Sequence, residues 1–268
     1  MKTKIINSAL GQALLSVHRD WGLRILSTHN PEQAGTIANG IIADRLIAQI
    51  CPKGGIFLDI GAQYGAVFSA ARKRDPSLQV YAFEADGQKA EALKAAHPYA
   101  QIFGVAVGEQ EGEATFYVNP VASGYNSLVP AKDRQEVRVR LAAVDDLLPD
   151  ISPDVIKIDI EGAELGAFRG AEQTIARGKP TIMFECILPK ENALGYSAGD
   201  IWDWFAAREY SISTPDRVAH DAPGLSKDTF CDAQLYPFRS HNYFAIAAAR
   251  RREVRDRARS ILKVESRT

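Results

Sequence analysis

An α/β fold, with a mostly parallel seven-stranded sheet covered by helices on both faces, is predicted by three features of this 268-residue sequence. From Ile56 onward, short apolar runs alternate with helical patterns. The runs are almost continuously apolar, as befits strands buried on both faces. The first of them, IFLDI, turns through small residues directly into a helix, the strand-to-helix corner on which parallel α/β sheets build ligand sites.

The elements follow in order. Thr36 to Ile50 sets Ile37, Ile41, Ile42, Leu46 and Ile50 on one helical face, and CPKGG (Cys51 to Gly55) breaks that helix. The strands are IFLDI (Ile56 to Ile60), VYAF (Val80 to Phe83), IFGVAV (Ile102 to Val107), VIKIDI (Val155 to Ile160), TIMFE (Thr181 to Glu185), YSIST (Tyr210 to Thr214) and NYFAIAA (Asn242 to Ala248). An antiparallel last strand is compatible with this order. ATFYV (Ala114 to Val118) and EVRVRLA (Glu136 to Ala142) read as added or edge strands around a loop, Asn119 to Lys132, rich in Pro, Gly, Ser and Asn. Such a loop in a compact domain is functional or disordered. Ser197 and Asp200 form a capping box ahead of IWDWFAA, whose Trp202, Trp204 and Phe205 read as packing residues rather than a substrate cage.

At the N-terminus, Ile6, Leu10, Ala13, Leu14 and Val17 recur at helical spacing while Asn7, Ser8 and Gln12 interrupt the apolar run, so a docked amphipathic helix is expected rather than a signal peptide. Three segments result: a helical extension over residues 1–52, an α/β domain over 53–249, and a basic helix or tail over 250–268. In that tail, RRREVRDRAR carries Glu253 and Asp256 at helical spacing from arginines, the pattern of a solvated helix.

Composition excludes several classes. With 32 basic against 33 acidic side chains there is no field to argue for nucleic acid. Three scattered cysteines without a CxxC pair fit a reducing compartment, hence a cytoplasmic location, and no structural zinc; His220, Cys231 and His241 match no zinc spacing. No apolar run is long enough to cross a bilayer.

The chemistry gathers at strand ends. In FLDIGAQYGAVFS, Asp59 closes the strand and Gly61 and Gly65 let the backbone turn sharply, so that a ligand can lie against it. Glu84 stands at the end of the strand in VYAFEAD (Val80 to Asp86), about twenty residues later, where a carboxylate accepts ribose hydroxyls. A dinucleotide site would show G-x-G-x-x-G. D-I-G-A-Q-Y-G is one glycine short and sets an anion where a pyrophosphate would be repelled, which suits the cationic S-adenosylmethionine better. The second constellation is DVIKIDIEGAELGAFRGA (Asp154 to Ala171). Lys157 and Asp159 share one side of the strand, Glu161 lies just past its end, and Glu185 ends the next strand at the same rim. Carboxylates crowded around one cleft raise one another's proton affinity and so supply a general base near neutral pH. Glu164 is expected only to complement its helix dipole.

With these motifs in order, together with VAVGEQEGEATFYV (Val105 to Val118), GYNSL (Gly124 to Leu128) and PTIMFE (Pro180 to Glu185), the chain resembles the FkbM-type S-adenosylmethionine-dependent methyltransferases. The resemblance is close from about residue 55 to 190 and looser to HNYFAI (His241 to Ile246), and K-I-D-I-E-G-A-E is its most family-specific part. It implies a Rossmann-like class I methyltransferase fold and O-methylation of a hydroxyl on a sugar, glycan or other natural product. It also implies that Asp59, Gly61, Ala62 and Gly65 shape the methionyl end, Glu84 holds the ribose, Ala106 and Val107 flank the adenine, and Ser127, or its neighbour Asn126, sits near the reacting centre with Asp159. Ala85, Gly87 and the pair Gln63-Tyr64 depart from the family pattern.

Methyl transfer needs an aligned hydroxyl, exclusion of water and removal of a proton. Asp159 or Glu161 is expected as the base with Lys157 orienting it; Glu185 is the alternative, or joins them in holding a magnesium or calcium ion, although no metal is the primary expectation. The competing classes are a non-catalytic cofactor-binding scaffold and a nicotinamide oxidoreductase. A homo-oligomer is compatible with the sequence.

Overall fold

The computed structural model describes residues 25–119, 126–130, 134–187, 193–235 and 240–264. The amphipathic helix expected over Ile6 to Val17 lies outside them. Helix α1 (Pro31–Ile50) starts at Asn30, whose side chain accepts from the Gln33 amide. It buries Ala34, Ala43, Leu46, Ile47 and Ile50. Leu46 and Ile50 of the expected stripe are buried and Ile42 packs against the same core, but Ile37 is exposed, and Ala34 and Ala43 join the buried face.

The main sheet contains β1 (Ile56–Ile60), β2 (Gln79–Phe83), β3 (Ala100–Phe103), β7 (Val155–Ile158), β8 (Thr181–Glu185), β9 (Tyr210–Ser213) and β10 (Asn242–Ala247). Their order is β3-β2-β1-β7-β8-β10-β9, parallel except for β10, which runs antiparallel to both its neighbours. Between β1 and β7 the direction of winding reverses, and at such a switch point a crevice opens beyond the carboxyl ends of the strands. Helices α2 (Ala66–Arg74), α3 (Gly87–Ala96), α4 (Val144–Leu147), α5 (Glu164–Gly170), α6 (Glu172–Gly178), α7 (Ala198–Ala206) and α8 (Lys227–Asp232) contribute side chains to the core on the sheet's two faces. The capping box of Ser197 and Asp200 is present at the start of α7. Trp204 and Phe205 are buried against Phe168, which confirms them as packing residues.

A run read as one strand is in fact two. IFGVAV leaves the main sheet after Phe103, and β4 (Ala106–Val107) joins β5 (Gly112–Val118) and β6 (Gln135–Ala142) in a separate three-stranded sheet of order β4-β6-β5. Both halves are largely buried, so the apolar pattern continues through the break. The fourth strand of the reading is shorter than expected, ending at Ile158 and leaving Asp159 and Ile160 in the turn that follows.

The core forms two layers, one on each face of the sheet. Leu58, Ile60, Ile156, Ile158 and Phe184 face the first, with Phe168 and Phe205. Phe57, Val155 and Phe244 face the second, with Leu46, Ile47 and Phe68. The basic tail helix α9 (Arg251–Leu262) belongs to the second layer: Val254 and Ala258 are buried, and Arg257 donates to the Ile50 carbonyl at 3.0 Å. It is thus docked rather than freely solvated, with its arginines satisfying carbonyls and surface carboxylates.

Candidate active site

The turn after β1 is tied to the end of β2. The Gly61 and Ala62 amides both donate to the Phe83 carbonyl at 3.0 Å, and the Gln63 amide donates to Glu84 Oε2 at 2.8 Å. The Asp86 amide takes the other oxygen of Glu84 at 2.9 Å, so this buried carboxylate is held at both ends. Burial raises its proton affinity, and the two amides work against that rise.

Gly61 has φ +81°, and a Cβ there would lie 1.9 Å from the Asp159 carbonyl oxygen. Its missing side chain therefore makes room for the end of β7, not directly for a ligand. Gly65, at φ +74°, is packed against the Phe68 ring.

Beyond these strand ends opens a cavity of about 430 Å³. Of the residues singled out in the sequence, Gly61, Ala62, Glu84, Ala106, Val107, Asn126, Lys157, Asp159, Glu161 and Glu185 line it. Asp59, Gly65 and Ser127 are not among its lining residues. Phe83, Val105, Phe116 and Leu128 add apolar wall; Gln63 and Tyr64, the pair that departs from the family pattern, line it too, and Lys89, unforeseen in the sequence, sets its ammonium 5.6 Å from the Tyr64 ring centre. Lys89 stands in the first turn of α3, just after Glu84, a position that could have flagged it.

Asp59 sits behind the cavity wall: it is 1% exposed and lies 3.3 Å from the Lys157 ammonium. Lys157 also donates to the Gly61 carbonyl at 2.8 Å and sits 3.5 Å from Asp159. Burial would lower the proton affinity of Lys157, but Asp59 and Asp159 outweigh it and keep the ammonium charged. Lys157 thus couples the two constellations that the sequence presents separately.

Asp159, Glu161 and Glu185 each offer a carboxylate oxygen within 4.8 Å of the others. Burial first, then Asp159, raises Glu161 to about 7. Glu185 is pushed well above the usual carboxylate range by burial and by Asp159 and Glu161. Such a cluster holds shared protons at neutral pH and, as an oxygen-only set, has the chemistry a hard divalent cation prefers. Glu164, expected to serve its helix dipole, is almost fully buried, with one oxygen accepting from the Gly162 amide.

The backbone around Glu161 is held from two sides. Glu161 has φ +58°, unusual for a residue with a side chain. Ser127 Oγ donates to the Glu161 carbonyl at 2.6 Å and accepts from the Val129 amide at 2.9 Å. Tyr196 donates its hydroxyl to the Gly162 carbonyl at 2.5 Å. Ser127, expected near the reacting centre, is thereby committed to main-chain partners.

Comparison with known proteins decides the family. The model of the methyltransferase FkbM domain matches residues 59–212, more than half of the chain. The chain belongs to the FkbM methyltransferase family. Among similar solved structures is a methyltransferase FkbM from Methylobacillus flagellatus KT, 18% identical with a TM-score of 0.46, the match covering 72% of this chain and 43% of that one. A precorrin-6y C5,15-methyltransferase from Geobacter metallireducens GS-15 is 13% identical with a TM-score of 0.41, over 65% of this chain and 72% of that one. A TehB-like SAM-dependent methyltransferase from Corynebacterium glutamicum ATCC 13032 Kitasato is 13% identical with a TM-score of 0.40, over 87% and 97%. The match thus spans less than half the length of the Methylobacillus FkbM protein. No curated protein sequence matches the chain. Among the described residues of this FkbM-family chain, no helix is long and apolar enough to cross a membrane.

Proposed function

We propose that this FkbM-family methyltransferase uses S-adenosylmethionine to methylate a hydroxyl of a small molecule or glycan, with Glu161 as the general base. One observation carries the reading: a ribose-type carboxylate, Glu84, and the carboxylate group of Asp159, Glu161 and Glu185 line a single cavity at the switch point of the sheet. The donor set fits the cofactor. Glu84 retains free lone pairs for sugar hydroxyls, Val105, Ala106 and Val107 offer an apolar wall for a flat ring, and the acidic rim suits a cation. When bound, the cofactor supplies an electrophilic methyl group on a sulfonium.

The chain's own residues then have three tasks. Glu161, with a proton affinity near neutrality, takes the proton of the acceptor hydroxyl at its carboxylate. Asp159 raises that affinity and is itself oriented by Lys157, which Asp59 and the Gly61 carbonyl hold in position. The apolar side chains of Phe116 and Leu128 limit water in the cavity.

Isothermal calorimetry tests the cofactor. S-adenosylhomocysteine should bind and NAD should not. The reverse result would favour an oxidoreductase, and binding without methyl transfer from labelled cofactor to any hydroxylated acceptor would favour a scaffold. Loss of activity on EDTA treatment with recovery in magnesium would recast the carboxylates as ion ligands.

A further inference from the structure

Asn126 lines the cavity yet is only 8% exposed. Its Oδ1 accepts from the Asn119 amide at 2.8 Å, which fixes the orientation of the side-chain amide. Its Nδ2 has no hydrogen-bond partner among the described residues. A buried donor left this way costs free energy unless something in the cavity accepts from it. The backbone beside it is firmly set, since Ser127 exchanges main-chain hydrogen bonds with Tyr117 at 2.8 and 3.2 Å and its hydroxyl reaches the Glu161 carbonyl. The donor therefore stands preorganised next to the segment that carries Glu161.

The surrounding groups narrow what can satisfy it. Asp159, Glu161 and Glu185 are acceptors when ionised; of the nearby cations, Lys157 is already engaged with Asp59 and the Gly61 carbonyl, Arg134 acts on Glu161, and Lys89 lines the cavity beside Tyr64. A phosphate or carboxylate on the acceptor would satisfy Asn126 but face three acidic groups. An ammonium would satisfy the acidic groups and leave Asn126 unpaired. A hydroxyl oxygen both donates and accepts, so an uncharged molecule with neighbouring hydroxyls satisfies every group at once. Resting on the methyltransferase reading above, we propose that Asn126 is a specificity-determining donor that holds a second, non-reacting hydroxyl oxygen of an uncharged acceptor, beside the hydroxyl addressed by Glu161.

The substitution Asn126→Asp tests this role, because it keeps the oxygen that accepts from Asn119 and replaces the donor with a second, charged oxygen. The full-length protein loaded with S-adenosylhomocysteine is titrated, by ligand-observed NMR, with three probes: methyl α-D-mannopyranoside, an anionic methyl glucuronoside and a cationic methyl glucosaminide. The neutral glycoside should bind best to the native protein. In Asn126→Asp it should bind about tenfold more weakly, the scale of losing one hydrogen bond and stranding its partner, while the cationic glycoside gains. Affinity for S-adenosylhomocysteine should hardly change, whereas the melting temperature should fall, because a further carboxylate is buried beside three acidic groups. The proposal is overturned if the glucuronoside binds as well as the neutral probe, if no glycoside binds to the loaded protein, or if Asn126→Asp leaves the neutral probe unaffected. It is equally overturned if the variant weakens S-adenosylhomocysteine instead, which would assign Asn126 to the cofactor. Failure of the native protein to bind S-adenosylhomocysteine at all would remove the methyltransferase reading first, and is read separately in the same titration.

Discussion

The two halves of the cavity are built differently. On the β1–β2 side, Glu84 has both oxygens tied to backbone amides, and the turn that carries Gly61 and Ala62 is bonded to Phe83. On the β7–β8 side, three carboxylates crowd together, a non-glycine residue adopts a left-handed conformation, and the Asn126 donor is unpaired among the described residues. One half is finished before any ligand arrives; the other holds groups whose protonation and pairing depend on what enters. The contrast implies that damage to the first half is read as lost affinity and damage to the second as lost turnover.

The largest effect is expected where the halves meet. Lys157→Met should destabilise the fold by about 3–5 kcal/mol, because it strands the buried Asp59 carboxylate, and chemical denaturation would measure it. Asp59→Asn should act in the same direction. A stable variant with merely weaker cofactor binding would instead restore Asp59 to a ligand role. Next comes Glu161→Gln, expected to lower turnover about a hundredfold or more while S-adenosylhomocysteine affinity stays within a few-fold. If Glu161→Gln is silent and Glu185→Gln inactive, the base stands on β8. Third, Glu84→Ala should weaken S-adenosylhomocysteine by about 1–3 kcal/mol in calorimetry, with turnover at saturation little altered. An unchanged affinity would dissolve the contrast between the halves.

The pH dependence sharpens it further. Since Glu161 must be ionised to accept a proton, turnover should rise as pH passes through about 7. Stability should move the other way. The folded protein binds this proton more tightly than the unfolded chain, so the contribution is fully present below the ordinary value of 4.5 and is lost as pH climbs to about 7. Glu185 adds to the same trend. Melting curves of the free protein at pH 6 and pH 8 should show the lower temperature at pH 8, and equal values would argue that the cluster is already ionised throughout. The smallest effect belongs to Ser127→Ala, about 1 kcal/mol of stability, since it removes the hydroxyl that donates to the Glu161 carbonyl and accepts from the Val129 amide.

Strand-end carboxylates were legible in the sequence because a parallel sheet sends all its carboxyl ends to one rim; that rule alone brings Glu84, Asp159, Glu161 and Glu185 together. What the sequence concealed were relations across strands. Asp59 and Lys157 are 98 positions apart in numbering only, since β1 and β7 are neighbours and Asp59 pairs in register with Lys157. No local pattern announces that. The division of IFGVAV escaped for a different reason: a buried run stays apolar whether it continues one sheet or passes to another, and periodicity reports burial rather than membership. Likewise, nothing in GYNSL distinguishes the serine that binds backbone from the asparagine that faces the cavity; the partners of each are remote in sequence or become apparent only in the fold.

The grip that Ser127 and Tyr196 exert on the turn after β7 falls on main-chain carbonyls, at Glu161 and Gly162. A carbonyl is present whatever side chain the residue carries. The two segments that carry Ser127 and Tyr196 could therefore be exchanged for others, provided each still delivers one hydroxyl to the same oxygen, without redesigning the carboxylate between them. For an engineer seeking new acceptors this marks the natural cutting points: graft around Ser127 and Tyr196, keep those two hydroxyls, and leave the sheet untouched.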